Sequence, residues 1–103
     1  MNNKILVTGG SRSGKSLVAE KLALGISKRP VYISTCKVFD SEMALRVSKH
    51  KKRRKDQWLE YESYIDLVEV INKTDQFGVR LIDCLTLWLN NLIYEKILSV
   101  SFN

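Results

Sequence analysis

The chain has 103 residues, of which 45% are hydrophobic and 27% charged. This balance excludes a disordered chain, and the length favours a single domain spanning residues 1–103. No apolar run approaches the roughly 20 residues needed to cross a bilayer, and the N-terminus lacks a signal-peptide core, so we expect a cytoplasmic protein. Cys36 and Cys84 lie in or beside apolar runs and are predicted to be buried, reduced thiols.

The formal net charge of +6 comes from one segment. Residues 49–55 (KHKKRRK) contain six basic residues and no acidic one, and the rest of the chain has as many basic as acidic residues. A single basic segment weakens a general prediction of nucleic-acid binding. A basic nucleic-acid-binding module therefore stands as an alternative, not as the leading interpretation.

The first half of the chain alternates strand and helix patterns. Residues 4–8 (KILVT) predict a buried strand that ends at glycines. Residues 14–26 predict a helix that stops before Pro30, because proline cannot continue a helix. Residues 31–35 (VYIST) predict another strand. A second helix is expected from Asp40 onward, with Asp40 as its N-cap.

The second half continues the alternation. Apolar residues at positions 64, 67, 68 and 71 follow the helical period, residues 79–85 (VRLIDCL) predict a third buried strand, and residues 86–98 predict a last helix. Strands alternating with helices predict an α/β fold, with helices covering both faces of a mainly parallel sheet in three layers.

A phosphate-binding motif lies at the start of the first helix. Gly9, Gly14, Lys15 and Ser16 fit the pattern G-x-x-x-x-G-K-[ST] between a predicted strand and a predicted helix. Such a loop turns its backbone N–H groups, together with the helix N-terminus, toward phosphate oxygens. Lys15 is expected to reach the terminal phosphates, and the Ser16 hydroxyl is expected to bind Mg²⁺. The predicted nucleotide-binding loop comprises Gly9, Gly10, Ser11, Arg12, Ser13, Gly14, Lys15 and Ser16.

Asp83 is the candidate second anchor for the metal. It ends the predicted strand VRLIDC, the position where such nucleotide sites place an acidic metal ligand. The alternative is a plain N-cap for the helix that starts near Thr86.

His50 is the candidate nucleophile. Glu42, Arg46 and His50 are spaced by four residues and share one face of the predicted helix, which Arg53 or Arg54 continues. A histidine flanked by arginines can attack a nucleotide α-phosphate, because the cations neutralise the charge that opposes the approach. The alternative is a solvated surface histidine.

These motifs together resemble one known family. The segments ILVTGGSRSGKS, VYISTCKVFDSEMALRVSKHKKRR and LIDCLTLWLNNLI, with Trp58 and Glu62, resemble the bifunctional adenosylcobinamide kinase / adenosylcobinamide-phosphate guanylyltransferase family of cobalamin biosynthesis, a P-loop NTPase family. The family's D-x-E-M-x-x-R-[IV]-x-x-H signature is present from Asp40 to His50. Two local departures are Lys55, where the family usually has proline, and Glu60, where it usually has threonine.

The resemblance implies two phosphate chemistries in one nucleotide site. In the first, a nucleoside triphosphate (ATP or GTP) phosphorylates adenosylcobinamide. In the second, the histidine matching His50 takes GMP from GTP and passes it to the substrate phosphate, giving adenosylcobinamide-GDP. Lys15 and Ser16 with Mg²⁺ then stabilise pyrophosphate, Arg46, Arg53 and Arg54 bind phosphate, and Glu42 orients His50.

The resemblance covers only the N-terminal part of family members, which form homo-oligomers. It therefore predicts a P-loop domain that is incomplete at the C-terminus, with an open sheet edge and exposed apolar surface. An inactive truncated remnant of the enzyme is the remaining alternative.

Overall fold

Three strands and four α-helices make up the part of the chain that the computed structural model describes, which is residues 4–9, 14–38, 40–76 and 78–101. In chain order they are α1 (Lys15–Ile26), β1 (Val31–Ser34), α2 (Ser41–Arg54), β2 (Leu59–Glu62), α3 (Leu67–Lys73), β3 (Arg80–Asp83) and α4 (Leu85–Ser101). A short 3-10 helix, Lys55–Gln57, joins α2 to β2.

The sheet is parallel throughout, in the order β2-β1-β3. Ile33 of β1 pairs with Tyr61 of β2 on one side and with Ile82 of β3 on the other. The predicted α/β class with a parallel sheet is confirmed. Because the strands are parallel, all three carboxyl ends meet at one edge of the sheet.

Helices pack on both faces of the central strand β1. Successive side chains of a strand point to opposite faces. On one face, Val31 and Ile33 pack with Leu67 of α3 and Trp88 of α4. On the other face, Tyr32 packs with Ala23 of α1 and with Trp58. This division confirms the predicted three layers.

The helix predictions are confirmed, with shifted ends. α1 and α2 begin and end close to the expected residues, and the Asp40 carboxylate accepts a 2.8 Å hydrogen bond from the backbone N–H of Met43, as an N-cap does. α3 begins only at Leu67, later than the apolar pattern indicated. α4 begins at Leu85.

One strand prediction is wrong in this structure, and one strand was missed. Residues 4–8 form no strand in the described chain, and Ile5 and Leu6 are 64% and 76% exposed. An apolar run forms a buried strand only where another strand pairs with it and helices cover it. The sequence of the run does not show whether those neighbours are present. Conversely, β2 was not predicted, because its sequence LEYE has two glutamates and no apolar run. It is stabilised by backbone pairing with β1 at the edge of the sheet.

Apolar side chains remain exposed on α1 and α4, as expected. They are Leu17, Val18, Leu22 and Ile26 of α1, and Leu85, Leu87, Leu89, Ile93, Tyr94 and Ile97 of α4. In the described residues, none of the helices combines the length and the apolar character that crossing a membrane requires.

Candidate nucleotide site

An open pocket of about 350 Å³ lies at the carboxyl edge of the sheet. Ser34, Glu62 and Asp83, the last residues of the three strands, contribute to its wall. α2 supplies most of the remaining polar wall, through Arg46, His50, Lys51 and Arg54. The other lining residues are Tyr32, Cys36, Val47, Glu60, Tyr61 and Leu87. The carboxyl edge of a parallel sheet is where α/β proteins commonly bind ligands.

His50 is a half-buried residue in the pocket wall. Arg46 lies one helical turn before it and Arg54 one turn after it, and both also line the pocket. Within the described residues, no hydrogen bond or ion pair engages the imidazole. The structure therefore brings the predicted nucleophile together with two of its predicted cationic neighbours and leaves the ring accessible to a ligand.

Asp83 is positioned by a contact across the sheet. Its Oδ2 accepts a short hydrogen bond from the hydroxyl of Tyr32. Burial, and then the adjacent Asp83 carboxylate, raise the pKa of Tyr32, so the phenol stays protonated and donates. Asp83 lies two positions before α4, and the contact that holds its carboxylate is this bond from β1, not one from the N-terminus of α4.

Arg54 is the one buried residue of α2, with 3% of its surface exposed. Its Nε donates to Glu60 Oε1 at 2.7 Å, and its guanidinium lies over the ring of Tyr32. Its Nη1 is buried and has no hydrogen-bond partner among the described residues. An unpaired buried donor costs about 1 to 3 kcal/mol, a penalty that the folded protein carries at this arginine.

Arg53 does not line the pocket. Its Nη2 forms an ion pair with Glu20 Oε2 of α1. The two arginines that the sequence could not distinguish therefore have different surroundings, since Arg54 contributes to the pocket wall and Arg53 joins two helices.

The basic segment is partly neutralised by carboxylates. Besides the pairs of Arg53 and Arg54, Lys51 Nζ lies 3.5 Å from Glu62 Oε1. Lys49 and Lys52 are exposed. The segment therefore does not present all its charges together to a nucleic-acid backbone.

Glu42 has a partner other than His50. Its Oε1 lies 3.8 Å from Arg46 Nη2, with both side chains strongly exposed. His50 lies eight residues further along α2, about 12 Å along the axis. The orienting role of Glu42 stays a prediction, and the observed geometry connects it to Arg46.

The phosphate-binding loop is described only in part. Gly10, Ser11, Arg12 and Ser13 lie outside the described residues, and Gly9 is exposed. Gly14 has a left-handed backbone (φ 82°) that favours glycine and is the N-cap of α1. Lys15 and Ser16 are the first two residues of α1 and are half-buried. They do not belong to the lining of the His50 pocket.

The direction of α1 nevertheless points its N-terminus toward the same edge. Only residues 27–30 separate the end of α1 from the start of β1, so α1 runs antiparallel to the strands and its N-terminus points toward their carboxyl ends. α1 also lies against β3. The N-terminus of α1 and the His50 pocket thus lie toward the same carboxyl edge of the sheet. An anion bound at the helix N-terminus would therefore be near the pocket.

Several pocket residues were not found by sequence reasoning. Tyr32, Ser34 and Cys36 lie on or just after β1, and Tyr61 and Glu62 lie on β2. The β1 residues could have been found from the sequence, because they lie at the end of a predicted parallel strand, where α/β proteins commonly bind ligands. No comparable signal existed for Tyr61, because β2 itself was not predicted.

The cysteines are free thiols, as predicted, but each is half-buried where the sequence predicted full burial. Burial, followed by the charge of Asp83 and the proximity of Cys84, raises the pKa of Cys36, while Arg46 opposes the shift.

Within the described residues, no group of three or more His, Cys, Asp or Glu side chains is arranged to hold a metal ion.

Comparison with known proteins identifies relatives along nearly the whole chain. Residues 5–101 match the family model described as cobinamide kinase / cobinamide phosphate guanyltransferase. The chain is 40% identical over 89 residues to the bifunctional adenosylcobalamin biosynthesis protein CobP of Pseudomonas aeruginosa, covering 85% of this chain and 51% of that protein. It is 40% identical over 92 residues to the bifunctional adenosylcobalamin biosynthesis protein CobU of Escherichia coli, covering 88% and 50%. The Salmonella typhimurium protein of that name is 38% identical over 91 residues, covering 87% and 50%. The chain thus spans about half the length of the curated relatives that it matches.

Proposed function

The chain belongs to the cobinamide kinase / cobinamide phosphate guanyltransferase family, and on this premise we propose that it is a nucleotide-dependent transferase of cobalamin biosynthesis. In one reaction it transfers the γ-phosphate of ATP or GTP to a hydroxyl of adenosylcobinamide. In the other it transfers GMP from GTP, through His50, to the resulting phosphate. The observation that carries the proposal is His50 between Arg46 and Arg54 in the pocket at the carboxyl edge of the sheet.

The guanylyl step begins at the imidazole of His50. One ring nitrogen forms a bond to the α-phosphorus of GTP, while the bond from that phosphorus to the bridging oxygen breaks and pyrophosphate leaves. The proton on the other ring nitrogen is released to solvent, leaving a phosphoramidate with a neutral imidazole ring and one negative charge on its phosphoryl oxygens. The accessibility of the ring, which the described residues do not engage, supports this role.

Positive charge around His50 supports the approach to a polyphosphate. Arg46 and Arg54 line the same wall, where their guanidinium groups are positively charged hydrogen-bond donors. In a partly desolvated pocket, such fixed donors stabilise charge that develops in the transition state. Glu42 would act on His50 through Arg46, its ion-pair partner.

The loop from Gly9 to Ser16 would hold the triphosphate tail, with Lys15 on its terminal phosphates. Asp83 and Ser16 would hold Mg²⁺. The donors fit this ion, because Mg²⁺ in nucleotide sites is bound by one or two oxygen ligands of the protein together with phosphate oxygens. Mg²⁺ would supply charge neutralisation for the leaving pyrophosphate. Asp83 lines the pocket with its carboxylate already fixed by Tyr32.

We also propose that the protein acts in the cytoplasm as a homo-oligomer. Its half-buried free thiols suit a reducing compartment. The exposed apolar residues of α4 offer a surface for association, which light scattering of the purified protein would test.

The test of the proposed function is covalent labelling. The purified chain is incubated with Mg²⁺ and GTP labelled with ³²P at the α-phosphate, and acid-labile, base-stable label on protein is measured. His50→Ala should abolish the label and Lys15→Ala should reduce it strongly, whereas Lys73→Ala, at an exposed position of α3, should leave it unchanged. Absence of label on a chain that melts cooperatively would support the inactive remnant instead. Steeply salt-dependent binding of oligonucleotides without label would support the nucleic-acid alternative.

A further inference from the structure

α2, the helix that carries His50, is attached to the rest of the molecule mainly at its last turn. Arg54 is its one buried residue, and the preceding residues are exposed or half-buried. The two consecutive arginines at this end bind carboxylates on different elements. Arg54 pairs with Glu60 of β2, and Arg53 pairs with Glu20 of α1. The position of His50 therefore depends on these two ion pairs, with a smaller part for the longer and more exposed pair of Lys51 with Glu62 of β2.

Glu20 is a buried carboxylate, with only 7% of the residue exposed. A charge this buried is tolerated when a partner compensates it, and Arg53 Nη2 is that partner. The Arg53 side chain is itself 38% exposed. Glu20 lies five residues after Lys15 on the helix that begins at the phosphate-binding loop, and Arg53 lies three residues after His50. One ion pair therefore joins the helix of the loop to the helix of the nucleophile.

We propose that Glu20 is a positioning residue for the transfer of the nucleotidyl group to His50, an inference that rests on the proposed function. Through Arg53, Glu20 fixes α2 relative to the N-terminus of α1, and thereby sets the distance from the imidazole to the α-phosphate of a nucleotide held there. Glu20 contacts neither the nucleotide nor His50. Its loss should impair the transfer step and leave nucleotide affinity nearly unchanged, because affinity depends on the loop and the transfer depends on alignment.

The test compares Glu20→Gln with a matched control, Glu69→Gln. Glu69 forms an exposed ion pair with Lys73 at 3.1 Å on α3, away from α1 and α2. The rate of label uptake from α-³²P-GTP and the affinity for GTP are measured for each variant. Misplacement of a reacting group by about 1 Å costs about 100-fold in rate. We therefore expect Glu20→Gln to slow labelling by about 10- to 100-fold with GTP affinity within about threefold of wild type, and Glu69→Gln to match wild type in both.

A double-variant cycle distinguishes positioning from general damage. If Glu20 acts through Arg53, then Arg53→Gln slows labelling by a similar factor, and the pair Glu20→Gln/Arg53→Gln is no slower than either single variant. The pair also replaces both charges by neutral amides and so leaves no unpaired buried charge, which makes it the decisive variant should Glu20→Gln unfold. Thermal melts followed by circular dichroism check that each protein is folded.

Three outcomes would overturn the inference. Labelling of a folded Glu20→Gln variant, or of the folded pair, at the wild-type rate would show that the ion pair does not position His50. If GTP affinity fell by the same factor as the labelling rate, the ion pair would contribute to GTP binding and not to the alignment of His50. Failure of the wild-type chain to take up label would reject the proposed function and this inference together, whereas the first two outcomes leave the proposed function intact.

Discussion

The guanidinium of Arg54 lies 3.5 Å from the centroid of the Tyr32 ring. The same ring meets Trp58 edge to face, with centroids 5.8 Å apart, and its hydroxyl donates to Asp83. Tyr32 therefore contacts at once the arginine at the end of α2 and the carboxylate at the end of β3. Through this one side chain, the helix that carries His50 is connected to the proposed metal ligand.

Tyr32→Phe should weaken metal binding without disturbing the fold. The substitution keeps the ring contacts with Arg54 and Trp58 and removes only the hydrogen bond to Asp83. Loss of a hydrogen bond that orients a metal ligand typically costs about 10- to 100-fold in metal affinity. Binding of Mn²⁺ in the presence of GTP, followed by electron paramagnetic resonance, measures this loss. Tyr94→Phe, which alters an exposed phenol of α4, is the control, and equal Mn²⁺ affinity in both variants would contradict the prediction.

Tyr32 should also cause loss of stability at alkaline pH. Burial and Asp83 raise its pKa in the folded protein, whereas the unfolded chain releases that proton near the ordinary value of about 10. Below about pH 10 both states keep the proton. Above it the unfolded state binds fewer protons, so the free energy of unfolding falls by about 1.4 kcal/mol per pH unit for this group.

Urea unfolding of wild type and Tyr32→Phe between pH 9 and about pH 11 isolates this contribution. The wild-type protein should lose stability more steeply than the variant. Parallel curves for the two proteins would show that the phenol of Tyr32 titrates normally in the fold.

Arg54→Ala should destabilise the protein far more than Arg46→Ala. Arg54 is buried, and its removal deletes the stack on Tyr32 and leaves Glu60 without its cation. Because Glu60 stays 30% exposed, we expect a loss of about 2 to 3 kcal/mol, below the range for fully buried pairs. Arg46 and Glu42 are 69% and 84% exposed, so Arg46→Ala should cost less than about 1 kcal/mol. Urea midpoints measure both, and similar losses would contradict the assignment.

Cys36 should be a slow but nucleotide-sensitive thiol. Burial raises its pKa, so near neutral pH it carries less thiolate than a free thiol and reacts more slowly with iodoacetamide. Cys36 lines the pocket, whereas Cys84 does not. Added GTP with Mg²⁺ should therefore protect Cys36 and leave alkylation of Cys84 unchanged, as read by peptide mass spectrometry. If saturating GTP did not slow the alkylation of Cys36, the nucleotide would bind outside this pocket.

Local patterns in the sequence determined the helices and the fold class. The Asp40 cap, the stop before Pro30 and the alternation of strand and helix each depend on neighbouring residues, whose effect on the backbone is the same in any fold. The motif with Lys15 and Ser16 likewise indicated a nucleotide site from residue type and spacing. The spacing of Arg46 and His50 predicted that both lie on one face of a helix, and in the structure both belong to α2 and line the pocket.

Tertiary structure alone decided which side chains meet. The sequence could not predict that Arg53 pairs with Glu20 and Arg54 with Glu60, or that Tyr32 donates to Asp83. These partners lie on different elements, and their distances depend on sheet order and on how helices pack. The same reason explains the strand errors, because β2 forms through pairing with β1, and residues 4–8 have an apolar pattern but no strand beside them in the described chain. Periodicity is a local property, whereas pairing depends on which distant surfaces the fold brings together.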